Sequence, residues 1–238
     1  MLEWYRADAD WSALITDCEG ILRTALGAAP ASLSTGALRW QGRAADPAAP
    51  FERLSVADAF HREAGIDLLD TAPDPREPNA AALAAEAKRV GIGTQPQDSW
   101  EDIYFRIFLD RIEPKLGIGR PTILHSYPAS MAALARMSRA DPRVAERAEL
   151  YVAGLEIANG FGELTDSVEQ RRRFEADMAR KEALYATRFP IDEDFIAAIG
   201  AMPEAAGMAL GFDRLMMLVT GADRIEDVLW APVSNSVG

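Results

Sequence analysis

The stretch Ala148–Asp166, AELYVAGLEIANGFGELTD, constrains the fold more than any other part of the chain. Its first part predicts a β-hairpin, with Ala148–Val152 and Leu155–Ala158 as strands and Ala153-Gly154 as the two-residue turn. In that pairing Tyr151 faces Glu156, and Glu149 faces Ala158. Alternation puts Leu150, Val152, Leu155 and Ile157 on one wholly apolar face, suited to packing on helices. Arg147, Glu149, Tyr151 and Glu156 take the other face. Two carboxylates so close on one ladder repel each other unless something compensates. A divalent cation is a natural compensator, and an oxygen-rich site suits magnesium. The alternative is a solvated polar face of an antiparallel sheet. Asn159-Gly160 is expected to break the strand, leaving Glu163 on a separate segment.

Composition removes several function classes. Cys18 is the only cysteine, so no internal disulfide and no thiolate zinc site can form. With two histidines, His61 and His125, a His-based metal site or catalytic triad is disfavoured. The net charge of −12 gives no overall basic footprint for nucleic acid, and the Arg171-Arg172-Arg173 run reads as a solvated helix face. No apolar run approaches the roughly 20 residues of a membrane span. Met1–Arg6 has neither the basic start nor the apolar core of a secretory signal, which makes the cytoplasm the expected compartment.

Along the chain, Leu2–Ala7 predicts a strand with Glu3 and Tyr5 on one face and Leu2 and Trp4 on the other. Asp8 or Asp10 can cap a helix carrying Trp11, Leu14, Ile15, Cys18, Leu22 and Leu26, with Gly27 as its stop. Residues 28–50 read as a surface connection with a short strand near Ala37–Gln41. Short helices are expected over Ser55–Ala64 and Ala80–Val90, the second ended by Gly91 and preceded by a proline-rich loop at 70–79. Ser99-Trp100-Glu101-Asp102 resembles a capping box opening an amphipathic helix. Pro121–Pro128 predicts a strand, Met131–Met137 a helical turn or two, Ser167–Ala186 a charged helix and Asp192–Ala201 a short one. In GMALGFDRLMML, Met208, Leu210 and Phe212 alternate with Gly207, Ala209, Gly211 and Asp213. The small-residue face lets a flat group lie on the backbone. Arg214 marks the passage into a helix over Leu215–Thr220. The interspersed elements and the hairpin predict α+β: an antiparallel sheet flanked by helices, in a single domain over 1–238.

ELYVAGLEIANGFGELTD followed by GMALGFDRLMML resembles the C-terminal half of a class II aminoacyl-tRNA synthetase catalytic domain of the lysyl subgroup. The second stretch is similar to that class's third motif, a Gly-rich strand ending in an arginine. MLEWYR, SWEDIYFRIFLDRIEPKLG and HSYPASMAALARMSRADPRVAER extend the match over most of the chain. In detail it resembles the elongation factor P–lysine ligases, short paralogues of lysyl-tRNA synthetase. The resemblance implies activation of (R)-β-lysine with ATP and its transfer to a lysine side chain of elongation factor P. It implies that Glu149 and Glu156 bind ATP through Mg2+, and that Arg214 meets the γ-phosphate. It places Gly207 and Gly211 beneath the adenine. Asn159 is implied near the substrate's polar head, Glu163 and Tyr5 at its side-chain amine, and Glu3 on the pocket wall. Ala209 stands where lysyl-tRNA synthetase has glycine and the ligases have alanine. A lysine–tRNA ligase fragment and a non-catalytic ATP-binding module are the alternatives, with tRNA the less favoured partner. The family is homodimeric.

The family's second motif has two strands joined by a loop, and the match begins within the second strand. The first motif, which builds the dimer interface, and the arginine for the α-phosphate have no counterpart here. We therefore expect Met1 to be an internal methionine. The upstream DNA should encode an arginine followed shortly by a glutamate, then a loop, and also a helix and strand suited to a two-fold interface.

Overall fold

The computed structural model describes residues 1–29, 36–132 and 134–231. Its centre is a six-stranded sheet in the order β1-β8-β7-β6-β5-β4. The strands are β1 (Leu2–Ala7), β4 (Glu52–Ser55), β5 (Thr122–Pro128), β6 (Val144–Val152), β7 (Leu155–Gly162) and β8 (Ala205–Leu210). Every pair is antiparallel except β4 with β5, which is parallel. A separate short ribbon pairs β2 (Leu38–Trp40) with β3 (Arg43–Ala45). The expected α+β architecture holds, with β4 as a strand that the sequence pattern did not announce.

Each face of the sheet has its own core. On one, Leu150, Val152, Met208 and Leu210 pack against Leu14, Ile15, Cys18 and Leu22 of α1 (Ser12–Ala28) and Leu215 and Leu218 of α7 (Phe212–Thr220). This is the apolar face expected of the hairpin. Leu38 and Ala45 of the short ribbon are buried in the same core, so the segment after α1 is more than a surface connection. On the other face Leu124, Tyr127 and Tyr151 pack against α2 (Val56–Ala64), α3 (Ala80–Arg89) and α4 (Trp100–Ile107). These helices cover the β4–β5–β6 end of that face. Truncating a residue such as Leu150, which has no exposed surface, costs roughly 2–5 kcal/mol in comparable cores.

Local signals account for the helix ends. Ser55 caps α2 through Asp58, and Ser99 and Asp102 form a reciprocal capping box on α4. α4 runs on into a π-helical turn, Phe108–Ile112, and a 3₁₀ turn, Glu113–Lys115. α5 (Ser167–Tyr185) is capped by Asp166 and α6 (Glu193–Ala201) by Asp192.

Several expectations need correction. Gly27 lies inside α1, because nothing there demands a left-handed residue and the helix ends at Ala28. The expected cap by Asp8 or Asp10 does not form: the N-cap is Trp11, which makes no side-chain cap hydrogen bond, and Asp10 Oδ1 accepts from the Ser12 N–H at 2.6 Å from one residue before it. Residues 30–35 of the connection after α1 lie outside the described residues. The expected helix over Met131–Met137 is replaced by a 3₁₀ turn at Ala129–Met131, followed by bridges from Ala135 to Glu163 and from Met137 to Ala145. Ala133 lies outside the described residues. α7 starts at Phe212 with Gly211 as its cap, so Phe212 leaves the strand alternation and is 50% exposed rather than packed with Met208 and Leu210.

Candidate active site

The site forms where the second face is left uncovered, over β1, β8, β7 and the edge of β6. Register brings its side chains together. Glu3 of β1 pairs with Ala209 of β8, which pairs with Asn159 of β7, which pairs with Glu149 of β6. One rung along, Tyr5 pairs with Gly207, and Gly207 with Phe161. Residues opposite one another in register share a face, so these side chains line one surface.

The hairpin contains one surprise. Tyr151 faces Glu156 as expected, but Leu150, and not Glu149, faces Ala158, and the register shifts between Leu150 and Tyr151. Ile157 is therefore an extra residue in β7, a bulge. Ile157 and Ala158 both enter the α1–α7 core, which leaves Glu156 and Asn159 on the site face although three positions separate them. The strand is also not broken at Asn159-Gly160. β7 continues to Gly162, and Glu163 follows directly, its N–H donating to Ala205 O at 2.9 Å.

At one end of the face lie Glu149, Glu156 and Arg214. Glu149 is only 6% exposed, because the α2–α4 layer ends beside it. Its oxygens accept from Arg147 Nη2 at 2.7 Å, Tyr151 Oη at 2.8 Å and Asn159 Nδ2 at 3.4 Å. The Arg147 guanidinium sits 4.5 Å from the centre of the Tyr127 ring. Glu156 is less engaged. Arg214 Nη1 donates to its backbone oxygen at 2.7 Å and lies 3.9 Å from its carboxylate. Burial pushes the Glu156 carboxyl up, the negative charge of Glu149 pushes it further, and Arg214 and Arg147 pull the other way. Glu113, just after the π-helical turn, is also raised by burial and by Glu149. Glu113 carried no sequence signal, since its place depends on that irregular turn.

At the other end Glu163 and Tyr5 lean over Gly207. A Cβ there would lie 2.6 Å from Tyr5 Cε1 and against the Glu163 carboxylate, so a larger residue would displace these side chains from over the strand. Burial alone raises the Glu163 carboxyl to about 7. The Tyr5 hydroxyl is raised by partial burial and by Glu163. Among the described residues no cation pairs with this half-buried acid, which suits it to receiving one from a ligand. Gly207 thus belongs to the Glu163 end of the face. Gly211 sits at the Arg214 end, where an added Cβ would meet only the Arg214 side chain at an ordinary 3.5 Å. Between the two ends the floor is Ala209, flanked by Asn159 and Glu3.

The arrangement offers a cation and two oxygen-rich acids at one end, an unpaired acid with a phenol at the other, and a flat strand between them. The polar side chains named on this face are carboxylates, phenols, an amide and guanidiniums. Chemistry here rests on charge and positioning.

The model for tRNA synthetases class II (D, K and N) matches residues 1–235. The chain belongs to this family. Among the curated relatives of this class II chain, the elongation factor P–(R)-β-lysine ligase of Proteus mirabilis is 38% identical over 234 residues, 98% of this chain and 64% of its own length. The Erwinia tasmaniensis protein of the same name is 38% identical over 232 residues, 96% of this chain and 63% of its own. That of Mannheimia succiniciproducens is 37% identical over 237 residues, 99% and 65%. The chain therefore spans a little under two thirds of the length of these relatives. Among the described residues no helix is long and apolar enough to cross a membrane.

Proposed function

We propose that this chain is a single catalytic-domain unit that activates lysine, preferentially (R)-β-lysine, as an aminoacyl-adenylate using ATP, for transfer to a lysine side chain of elongation factor P. The observation that carries this reading is the single face that holds Glu163 and Tyr5 around Gly207, then Ala209 and Asn159 in register with Glu149, then Glu156 with Arg214 beside it. Such a surface suits a substrate with an amine at one end and a carboxylate that must meet a phosphate at the other. The names of the relatives agree with it.

In this reading Glu163, with Tyr5, holds the ammonium by a charge-assisted hydrogen bond. Asn159 and Glu3 flank the head of the amino acid. Gly207 lets the amine-binding pair close over the strand, and with Gly211 it keeps the strand low enough for the adenine to approach. Arg214 offers ATP a planar cation suited to phosphate, and Gly211 keeps the approach to it clear. Two carboxylates would be open to Mg2+: Glu156, raised by burial and then by the charge of Glu149, and Glu149, whose oxygens already accept from Arg147, Tyr151 and Asn159. Among the described residues no cluster of three or more metal-ligating side chains forms, so phosphate and water oxygens would complete the coordination. Bound there with ATP, the ion would neutralise phosphate charge. Arg147 and Tyr151 fix the direction of Glu149, and the bulge at Ile157 turns Asn159 toward the face that Glu149 and Glu156 share. The adenylate then forms by in-line attack of the substrate carboxylate on the α-phosphorus, releasing pyrophosphate. The amine of the acceptor lysine attacks the acyl carbon and releases AMP.

Ala209 favours the β-lysine reading over lysine–tRNA ligation. It is the floor between Asn159 and Glu3, and one methyl group in such a place shifts preference by about 1–3 kcal/mol. The test is incubation with ATP, Mg2+, (R)-β-lysine and purified elongation factor P, followed by intact-mass measurement. The reading expects one added β-lysyl group. Charging of tRNA with lysine and an unmodified factor would reverse it in favour of the tRNA ligase.

A further inference from the structure

The β5–β6 ladder is irregular at one place. Leu124 pairs with Glu149 and His125 with Ala148, but Tyr127 pairs with Ala145, one step out of register. Ser126, between them, has φ 57°, a left-handed conformation that a non-glycine residue adopts at a cost. Residues opposite one another share a face, so the shift sets Tyr127 on the face of Ala145, Arg147 and Glu149. An unbroken register would set it opposite Glu146, on the α1 side of the sheet. The strained residue at 126 thus delivers a tyrosine ring to the candidate site.

The ring carries Arg147. Tyr127 is buried, and the guanidinium carbon of Arg147 lies 4.5 Å from the centre of its ring. From this seat Arg147 Nη2 donates to Glu149 Oε1 at 2.7 Å and Nη1 donates to Met131 O at 3.2 Å. Arg147 Nε is buried without a hydrogen-bond partner. A largely desolvated guanidinium with an unpaired N–H is held in part by the ring face. The Tyr127 hydroxyl has no hydrogen-bond partner either, so what this residue supplies is its ring. Glu149 has little surface of its own, and the direction of its carboxylate follows from the groups that hold it. We propose that Tyr127 is a positioning residue for nucleotide binding and adenylation: its ring seats the Arg147 guanidinium, and Arg147 in that seat directs the Glu149 carboxylate toward the ATP end of the face. The left-handed Ser126 is then the cost of turning the ring inward. The proposal rests on the reading that Glu149 binds ATP through Mg2+.

The test is a double-mutant cycle on the purified chain, reading the calorimetric affinity for ATP at saturating Mg2+ and, separately, for lysine. Tyr127→Leu removes the ring and keeps apolar bulk. It should weaken ATP binding by about tenfold or more, since the seat of the guanidinium and the aim of the carboxylate are lost together, and leave lysine affinity close to the parent value. Tyr127→Phe keeps the ring and should bind ATP as the parent does. Glu149→Gln should weaken ATP binding at least as much as Tyr127→Leu. Adding Tyr127→Leu to Glu149→Gln should weaken it no further, because Tyr127 acts through Glu149. Tyr127→Met fills the same space with a flexible chain and repeats the measurement if the leucine variant does not fold. Losses that add in the double variant, or a fall in lysine affinity equal to that for ATP, make Tyr127 a core residue only and overturn the proposal. Parent-like ATP binding in both Tyr127→Leu and Tyr127→Met overturns it too, as does a loss in Tyr127→Phe as large as in Tyr127→Leu. Unchanged ATP binding in Glu149→Gln overturns the reading of Glu149, and the proposal falls with it.

Discussion

Glu149 and Asn159 face each other across β6 and β7, with Asn159 Nδ2 donating to Glu149 Oε1 at 3.4 Å, because Ile157 is an extra residue in β7. Without it Ala158 would occupy that place and Asn159 would point into the opposite core. One bulge thus lets Glu156 and Asn159 serve the same surface. It also sends two neighbouring side chains, Ile157 and Ala158, into the α1–α7 core, which anchors the distortion.

Glu156→Gln keeps size and shape and removes the charge that a magnesium-bound phosphate requires. Adenylation should fall by roughly 10²–10³-fold, the range for loss of one electrostatic group in a preorganised site. Thermal melting should be unchanged or slightly higher, since the substitution relieves repulsion from Glu149. Pyrophosphate exchange at the parent rate would remove Glu156 from the site.

Arg214→Ala should act on ATP alone. A charge-assisted bond to phosphate contributes about 1.5–3 kcal/mol, so the KM for ATP should rise roughly 10–100-fold while the KM for the amino acid stays put. The backbone oxygen of Glu156 also loses its donor, so crystal or solution structures of the variant should show greater mobility at the bulge.

Ala209→Gly removes the one methyl group between Asn159 and Glu3. The ratio of kcat/KM for (R)-β-lysine to that for α-lysine should drop by about tenfold or more, within the ~1–3 kcal/mol that a methyl group can discriminate. An unchanged ratio means that the floor does not select the isomer.

Glu163 predicts a pH dependence. Its carboxyl is raised to about 7, and an ammonium ligand requires it ionised. Lysine affinity should therefore be constant above about pH 7 and fall by up to tenfold per unit below it. Stability runs the other way. The folded protein holds this proton more tightly than the unfolded chain, so Glu163 lowers stability progressively as pH rises from about 4.5 to about 7. Glu163→Gln should raise the melting temperature at pH 8, leave it nearly unchanged at pH 4, and flatten the binding profile.

Periodicity made much of the sheet legible. Leu150 and Val152 alternate with Glu149 and Tyr151, and that alone separates the core face from the site face. The capping box at Ser99 marked the start of α4 because its side chains act within one turn, and Ser55 and Asp192, where helices were expected to open, prove to be their caps. What stayed hidden depends on distant packing. The bulge at Ile157 leaves no mark in a sequence where Ile157 and Ala158 are both apolar and either could be taken as the inward residue. Gln170 sits in a helix so rich in charge that nothing signals its burial beside α6. Phe212 continues the alternation of Met208 and Leu210, and only the cap at Gly211 turns it outward. The family resemblance supplied roles for Glu3, Tyr5, Asn159 and Glu163 that spacing alone could not, and the register then brought them onto one surface.

Pyrophosphate exchange into ATP by this chain, measured with α-lysine, (R)-β-lysine and no amino acid, tests the central claim most directly. The account predicts exchange that requires an amino acid and Mg2+, runs faster with (R)-β-lysine than with α-lysine, and is lost in Glu156→Gln. Tight ATP binding without exchange for either isomer would contradict it and make the chain a nucleotide-binding module.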